Sequence, residues 1–419
     1  MPGVFPSRAH AGQRCPLPFG LPLGLLSVSF LLFVACASPP PDLTPPQAHN
    51  VPRSPFRIAV PLNAAPDQSS TPATLVRHTG LSIVPVDVPS GLELEAWVES
   101  LAHAGVTLIL LDAGTREGVR LLDETRPMEG LGSVYFRTGL AQTARDVFGE
   151  VVPIAHRYGL SVFAAVSLRR MNWIDPTLGW MDRAYDPVQQ QLRITPYLDV
   201  FHPAFQEYLT GLFLDLADTG INGVLFRNDA PLGPTDGFSV FALRGFERDF
   251  QIKADPDKLA PIPVRASPIT EEGVQPQVFK PNTAPEFWQW AGWKAREMIK
   301  LTVKLEDAMR SHAPNLSSAI EVHPEAVIDP LIALLQYGED LLDAKRNGIQ
   351  FFFIRTQNAQ NAPAAPFLDR MGQLVGQMER IWISVPLPGG DTRNPDQWPP
   401  FAKEREGLER GIGLIYMGN

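Results

Sequence analysis

The chain has 419 residues, 44% hydrophobic and 19% charged, enough to bury one large core or two ordinary ones. Its two cysteines exclude a disulfide framework, a four-cysteine zinc site and an iron–sulfur cluster. A formal charge of -9 argues against a nucleic-acid partner, because phosphate backbones select basic surfaces. The 42 prolines are about twice the usual share, and they are unevenly placed.

Arg8, His10 and Arg14 precede an uncharged run from Leu21 to Ala35. That length is short for a spanning helix, which needs about 20 residues, and suits the apolar region of a signal peptide. The run ends Leu32-Phe33-Val34-Ala35-Cys36, which resembles the lipobox of bacterial lipoproteins. The resemblance implies cleavage before Cys36, a diacylglycerol on its sulfur and loss of Cys15 with the leader. Ala37 in place of an aspartate then implies an outer-membrane anchor facing the periplasm. Pro39-Pro40-Pro41, Pro45-Pro46, Pro52, Pro55, Pro61, Pro66 and Pro72 follow. Proline fixes φ and removes donors, so this stretch reads as an extended tether. The expected organisation is a signal peptide over 1–35, a lipidated tether over 36–80 and one folded domain over 81–419.

The remainder repeats one unit: an amphipathic helix, a glycine in the C′ position, then a short apolar strand. The glycines are Gly105, Gly159, Gly220, Gly348 and Gly411; this residue ends a helix readily because it tolerates left-handed dihedrals. Leu94, Trp97, Val98 and Leu101 give the helical period before Gly105, as Val147, Val151, Ile154 and Tyr158 do before Gly159. Thr283-Ala284-Pro285-Glu286 has capping-box spacing and predicts a helix running toward His312. With further strands near Ile83–Val88, Ser318–Val322 and Ile381–Val385, the count reaches eight. Apolar strands alternating with helices mean a parallel sheet, and eight such units predict an α/β fold, a (β/α)₈ TIM-like barrel. No Gly-x-Gly-x-x-Gly turn follows the first strand, which removes the usual dinucleotide-binding reading.

In such a barrel the chemistry lies where strands end. Those ends carry Asp87, Asp112, Arg169, Arg170, Arg227, Asn228, Asp229, Glu321, His323, Arg355 and Asp391. Long loops follow strands three and four, and the first holds Trp173, Trp180 and Tyr185, flat faces on which sugar rings stack. Trp288, Trp290 and Trp293 sit at a helix start and read as structural.

Gly223-Val-Leu-Phe-Arg-Asn-Asp-Ala230 is similar to the Gly-Ile-Leu-Phe-His-Asp-Asp-Ala segment of the C-terminal glycoside hydrolase (family 153) domain of PgaB-type lipoproteins. Those proteins process poly-β-1,6-N-acetyl-glucosamine. Val134-Tyr135-Phe136-Arg137, Gly159-Leu-Ser-Val-Phe-Ala-Ala and Leu198-Asp199-Val200-Phe201-His202-Pro203 resemble family segments in the same order. The family's N-terminal deacetylase holds its metal with an aspartate and a His-x-x-x-His pair. The eight histidines of this sequence include no such pair. The resemblance therefore implies a hydrolase-like half without deacetylase activity, and no metal or organic cofactor.

Glycoside hydrolysis needs an acid to protonate the leaving oxygen and a second group to stabilise or attack the oxocarbenium-like centre. Asp229 matches the second aspartate of the family's pair and is the acid candidate. Asp236 matches an acidic position in the next loop, and Glu321 projects from strand five. The opposing reading is that Asp229 caps a loop and Glu321 pairs with an arginine. Arg227, Asn228, Asp112, Trp173, Trp180, Tyr185, His323 and Arg355 are the substrate-binding candidates. The sequence departs from the family where His-Asp becomes Arg227-Asn228, and where Trp382-Ile383-Ser384-Val385 lacks a glutamate. A guanidinium beside Asp229 would favour its charged form, whereas an acid must hold a proton. Two functions stay open. One is a lipid-anchored hydrolase of partly de-N-acetylated poly-β-1,6-N-acetyl-glucosamine, an exopolysaccharide of biofilms. The other is a catalytically degenerate barrel that holds the polymer or docks on an export porin, with a separate deacetylase as a further partner.

Overall fold

Gly105, Gly159, Gly220 and Gly348, each just past a helix, adopt positive φ, from 73° at Gly159 to 93° at Gly348, and so does Gly411 ahead of the last strand. The computed structural model describes residues 78–115, 131–263, 279–355, 365–387, 391–393, 395, 398 and 411–418. The expected leader, Cys36 and most of the tether lie outside the described residues.

Eight parallel strands close into a barrel in chain order. They are β1 (Thr79–Ile83), β2 (Leu108–Asp112), β3 (Ser161–Ser167), β4 (Gly223–Arg227), β5 (Ser317–Val322), β6 (Phe351–Ile354), β7 (Ile381–Pro386) and β8 (Gly413–Met417). Closure is by β8 on β1, with Thr79 opposite Leu414 and Ser82 opposite Met417. The first strand lies earlier than the expected Ile83–Val88, and the barrel begins two residues inside the stretch assigned to the tether. Pro85 cannot donate to a ladder, and Pro85–Asp87 forms a 3₁₀ turn instead.

Helices Leu92–His103, Val147–Arg157 and Pro203–Ala217 follow β1, β2 and β3. The longest helix, Pro285–His312, precedes β5. Its N-cap is Ala284, without a side-chain cap. The expected capping box is therefore not formed; Asn282 Oδ1 instead accepts from the Ala284 N–H at 3.1 Å. Trp290 and Trp293 are buried in a stacked pair with centroids 5.2 Å apart, in the structural role expected of them.

The strands alternate strictly between two environments. One phase, including Ile109, Leu111, Val162, Ala164, Val224 and Phe226, packs outward under the helices. The other fills the barrel with Leu108, Leu110, Phe163, Ala165, Leu225, Ala319, Phe351, Phe353, Trp382 and Ile415. Trp382 dominates that interior, stacked on Phe351 at 4.7 Å and edge-on to Phe163 at 5.2 Å. Gly223 is required beside it: a Cβ there would come within 2.2 Å of the Phe163 ring. The interior is thus apolar and largely aromatic below its upper layer.

Candidate active site

Continuing the inward phase by one more residue turns every strand from apolar to polar or terminal. Two residues beyond Leu110 stands Asp112, beyond Ala165 Ser167, beyond Leu225 Arg227, beyond Ala319 Glu321, beyond Phe353 Arg355 and beyond Trp382 Ser384. These six, with Asn228, Asp229, His323 and Trp173, line one cavity of about 680 Å³ at the C-terminal ends of the strands. Strand period alone explains the convergence, because residues two apart share a face.

The two residues that depart from the family's His-Asp pair both find partners: Arg227 within this cavity, Asn228 on residues outside its lining. Arg227 Nη2 donates to Asp112 Oδ1 at 2.5 Å, with both side chains buried. The guanidinium therefore engages Asp112, and the structure records no ion pair between Arg227 and Asp229. Asn228 Nδ2 donates to Glu339 Oε1 at 2.6 Å and to the Tyr337 carbonyl at 3.2 Å. Both partners are acceptors, so position 228 needs a donor, which an aspartate lacks at neutral pH.

Asp229 and Glu321 each carry one buried carboxylate oxygen, Oδ1 and Oε2 respectively, with no hydrogen-bond partner. Glu321 Oε1 lies 3.5 Å from Arg355 Nη1, so the arginine pairing weighed against a catalytic role is partly made. Arg355 is the more exposed partner, at 44% against 3%, so its head group sits at the rim while the glutamate stays within. Leaving buried carboxyl oxygens unsatisfied costs free energy, and such costs concentrate at functional sites.

His323 follows Glu321 on the same face and is held on three sides. Its Nδ1 lies 2.7 Å from Glu339 Oε1, its backbone N–H donates to Glu339 Oε2 at 3.0 Å, and its ring stacks on Tyr337 at 3.7 Å. Burial opposes protonation of the imidazole, but the Glu339 hydrogen bond and charge, with Glu321 and Glu325, outweigh it and raise its pKa. Burial also pushes the Glu339 carboxyl up, against the hydrogen bonds from His323 and Asn228. Every group bonded to Glu339 can act as a donor, so we take it as the carboxylate, which favours the imidazolium form of His323.

Other expected site residues lie elsewhere. Asp236 is outside the cavity lining: its Oδ2 is 3.5 Å from Arg169, whose Nη2 also donates to Asp182 at 2.7 Å. Arg169 additionally donates to the carbonyls of Ala230 and Pro231. Lys294, fully buried, donates to the carbonyls of Gly233 and Asp236 at 2.8 Å each. These two cations tie down the loop that follows Asp229. Trp180 packs on Phe205, Tyr208 and His202, and Tyr185 donates its hydroxyl to Asp257 beneath Phe238. Both are framework residues, because strand three is followed by a hairpin, Met181–Asp186 with Gln191–Leu198, that carries them away from the mouth. Trp173 alone of the three aromatics reaches the cavity, anchored by its Nε1 donating to the Tyr208 hydroxyl at 3.0 Å.

Glu339 is the main residue missed from sequence. It lies beyond two short helices, Pro330–Tyr337 among them, and no motif marks it. Among the described residues no group of three or more His, Cys, Asp or Glu is placed to hold a metal ion.

The closed barrel and its polar mouth define a (β/α)₈ TIM-like domain. The PgaB glycoside hydrolase domain from Bordetella bronchiseptica superposes with a TM-score of 0.58, covering 81% of this chain and 94% of that one at 17% identity. The β-galactosidase from the psychrophilic Marinomonas ef1 aligns with a TM-score of 0.50 at 11% identity, over 81% of this chain and 53% of that one. A β-galactosidase from Bacillus circulans sp. alkalophilus gives 0.50 at 9%, over 81% and 50%. The likeness at these identities is one of fold. The sequence matches no family model and no curated protein.

Proposed function

We propose that this protein is a glycoside hydrolase that binds and cleaves partly de-N-acetylated poly-β-1,6-N-acetyl-glucosamine while anchored through Cys36 to the outer membrane. The observation that carries the proposal is the pairing of Asp229 and Glu321 in one cavity, each with an unsatisfied buried oxygen. The ordered resemblance, which spans about Leu81 to the C-terminus, and the PgaB-like fold support the choice of glycan. At the cleavage site two carboxylates can stabilise an oxocarbenium-like centre and activate water, or one can attack it directly. Trp173 supplies an apolar wall for a sugar face, and Arg170, Asn172 and Thr115 supply polar contacts around it.

A second reading is a non-catalytic barrel that holds the exported polymer, docks on an export porin or works beside a separate deacetylase. The Arg227–Asp112 pair favours it, because a cation–carboxylate pair occupies part of the mouth. Oligosaccharide release from the partly deacetylated polymer, with binding measured in parallel, separates the two. Release by the wild type that Asp229→Asn abolishes supports the enzyme, and binding without release supports the scaffold.

A further inference from the structure

The glycosidase reading leaves the source of the leaving-group proton open. An acid in glycoside cleavage must hold a proton at working pH and reach the glycosidic oxygen. Glu321 is approached by Arg355 at 3.5 Å, and neither Glu321 nor Asp229 has a fixed partner that aims a proton into the cavity. His323 is different. Its Nδ1 is committed to Glu339, and Nε2 is the ring nitrogen left for the cavity that the residue lines. Strand period places it on the same side as Glu321, two residues further toward the mouth.

We propose that His323, held as an imidazolium by Glu339, is the proton donor of the site, and that Glu339 is its positioning residue. This rests on the glycosidase reading above and assigns to His323 the acid role for which sequence pointed to Asp229. The step balances as follows. Nε2–H transfers its proton to the glycosidic oxygen as the bond from the anomeric carbon to that oxygen breaks, and the leaving sugar departs as an alcohol. Water then adds to the anomeric carbon directly or after a glycosyl-carboxylate intermediate, giving a proton to a carboxylate of the Asp229–Glu321 pair. That carboxyl group releases its proton to solvent, and solvent restores the proton of His323.

The surroundings fit that role. The charged and titratable groups about the ring are Glu339 behind it, Glu321 beside it, Glu325 on the following helical turn and Tyr337 stacked beneath. Three are acids, which favours the imidazolium, and the tyrosine face is a site for a cation. Glu339 also bonds Asn228, so one carboxylate fixes the chain next to Asp229 and the ring two residues beyond Glu321. Histidine as donor thus frees both mouth carboxyl groups for the oxocarbenium-like centre.

The test compares wild type, His323→Gln and Glu339→Gln on two substrates: partly deacetylated β-1,6-glucosamine oligomers, and the same oligomers carrying a dinitrophenyl leaving group that departs without protonation. His323→Gln is expected to lose about 10²–10⁴-fold on the natural bond and to keep most of its rate on the activated one. Glu339→Gln is expected to move the alkaline limb of the wild-type kcat profile to lower pH. Equal loss on both substrates, or a leaving-group-dependent loss in Asp229→Asn instead, overturns the assignment. A nitrogen-15 NMR titration of the ring is read on the same proteins. A midpoint at or below that of free histidine also overturns it, whatever the activity. No cleavage of either substrate by wild type, with a raised ring midpoint, overturns the glycosidase reading and the assignment together.

Discussion

Asn228→Asp restores the residue type of the family motif and is predicted to damage this protein. In the wild type, Nδ2 donates to Glu339 Oε1 at 2.6 Å and to the Tyr337 carbonyl at 3.2 Å. The variant sets a second carboxylate against Glu339, which is only 8% exposed. At that separation two full charges would repel by about 6 kcal/mol even with an effective dielectric constant near 20. The protein avoids this by holding a proton between the two carboxylates. Such a proton costs about 1.4 kcal/mol for each pH unit above the ordinary carboxyl range, or about 4 kcal/mol at pH 7. The folded variant therefore binds more protons than its unfolded chain, and its deficit against wild type grows as pH rises. Urea unfolding at pH 5 and pH 7 is the assay, with a deficit of about 4 kcal/mol at pH 7 and about 1.4 kcal/mol less per unit toward pH 5. A deficit that is the same at both pH values would refute the reasoning, since loss of the Tyr337 hydrogen bond alone carries no pH dependence.

Arg227→Met leaves Asp112 buried without its cation and should cost about 3–5 kcal/mol in urea unfolding, while Arg227→Met with Asp112→Leu should recover most of that loss. Trp382→Ala opens the barrel interior between Phe351 and Phe163 and should cost about 3–5 kcal/mol, read by calorimetry as a lowered Tm. Burial raises the Asp182 pKa from 3.8 to about 7, against the pull of Arg169. Its folded form thus holds a proton that the unfolded chain releases. Its contribution to stability is full below about pH 4 and is lost as pH rises through about 7, so Asp182→Asn should gain on wild type across that interval in unfolding titrations.

The barrel was legible because its strands are continuous apolar runs, most of them preceded by a glycine, a pattern local enough to read without tertiary information. Asp112, Arg227, Glu321 and Arg355 were found as strand-end residues, and two-residue periodicity brings all four into one cavity. Strand one was misplaced because Val84, Val86 and Val88 imitate an alternating strand, whereas Pro85 cannot join a ladder. Trp180 and Tyr185 were misassigned because a loop read as structureless forms a hairpin that turns them into the framework. Glu339 escaped notice because its role comes from meeting Asn228 and His323, 111 and 16 residues away, and spacing says nothing about such meetings. The same limit applies to Arg227, whose partner Asp112 lies 115 residues earlier.

The central claim is that the mouth carboxylates cleave a glycan. Its most direct measurement is mass-spectrometric detection of oligosaccharides released from partly de-N-acetylated poly-β-1,6-N-acetyl-glucosamine by wild type and by Asp229→Asn, with polymer binding confirmed for both. The account predicts release by the wild type and none by the variant. Binding by both proteins with release by neither would contradict it.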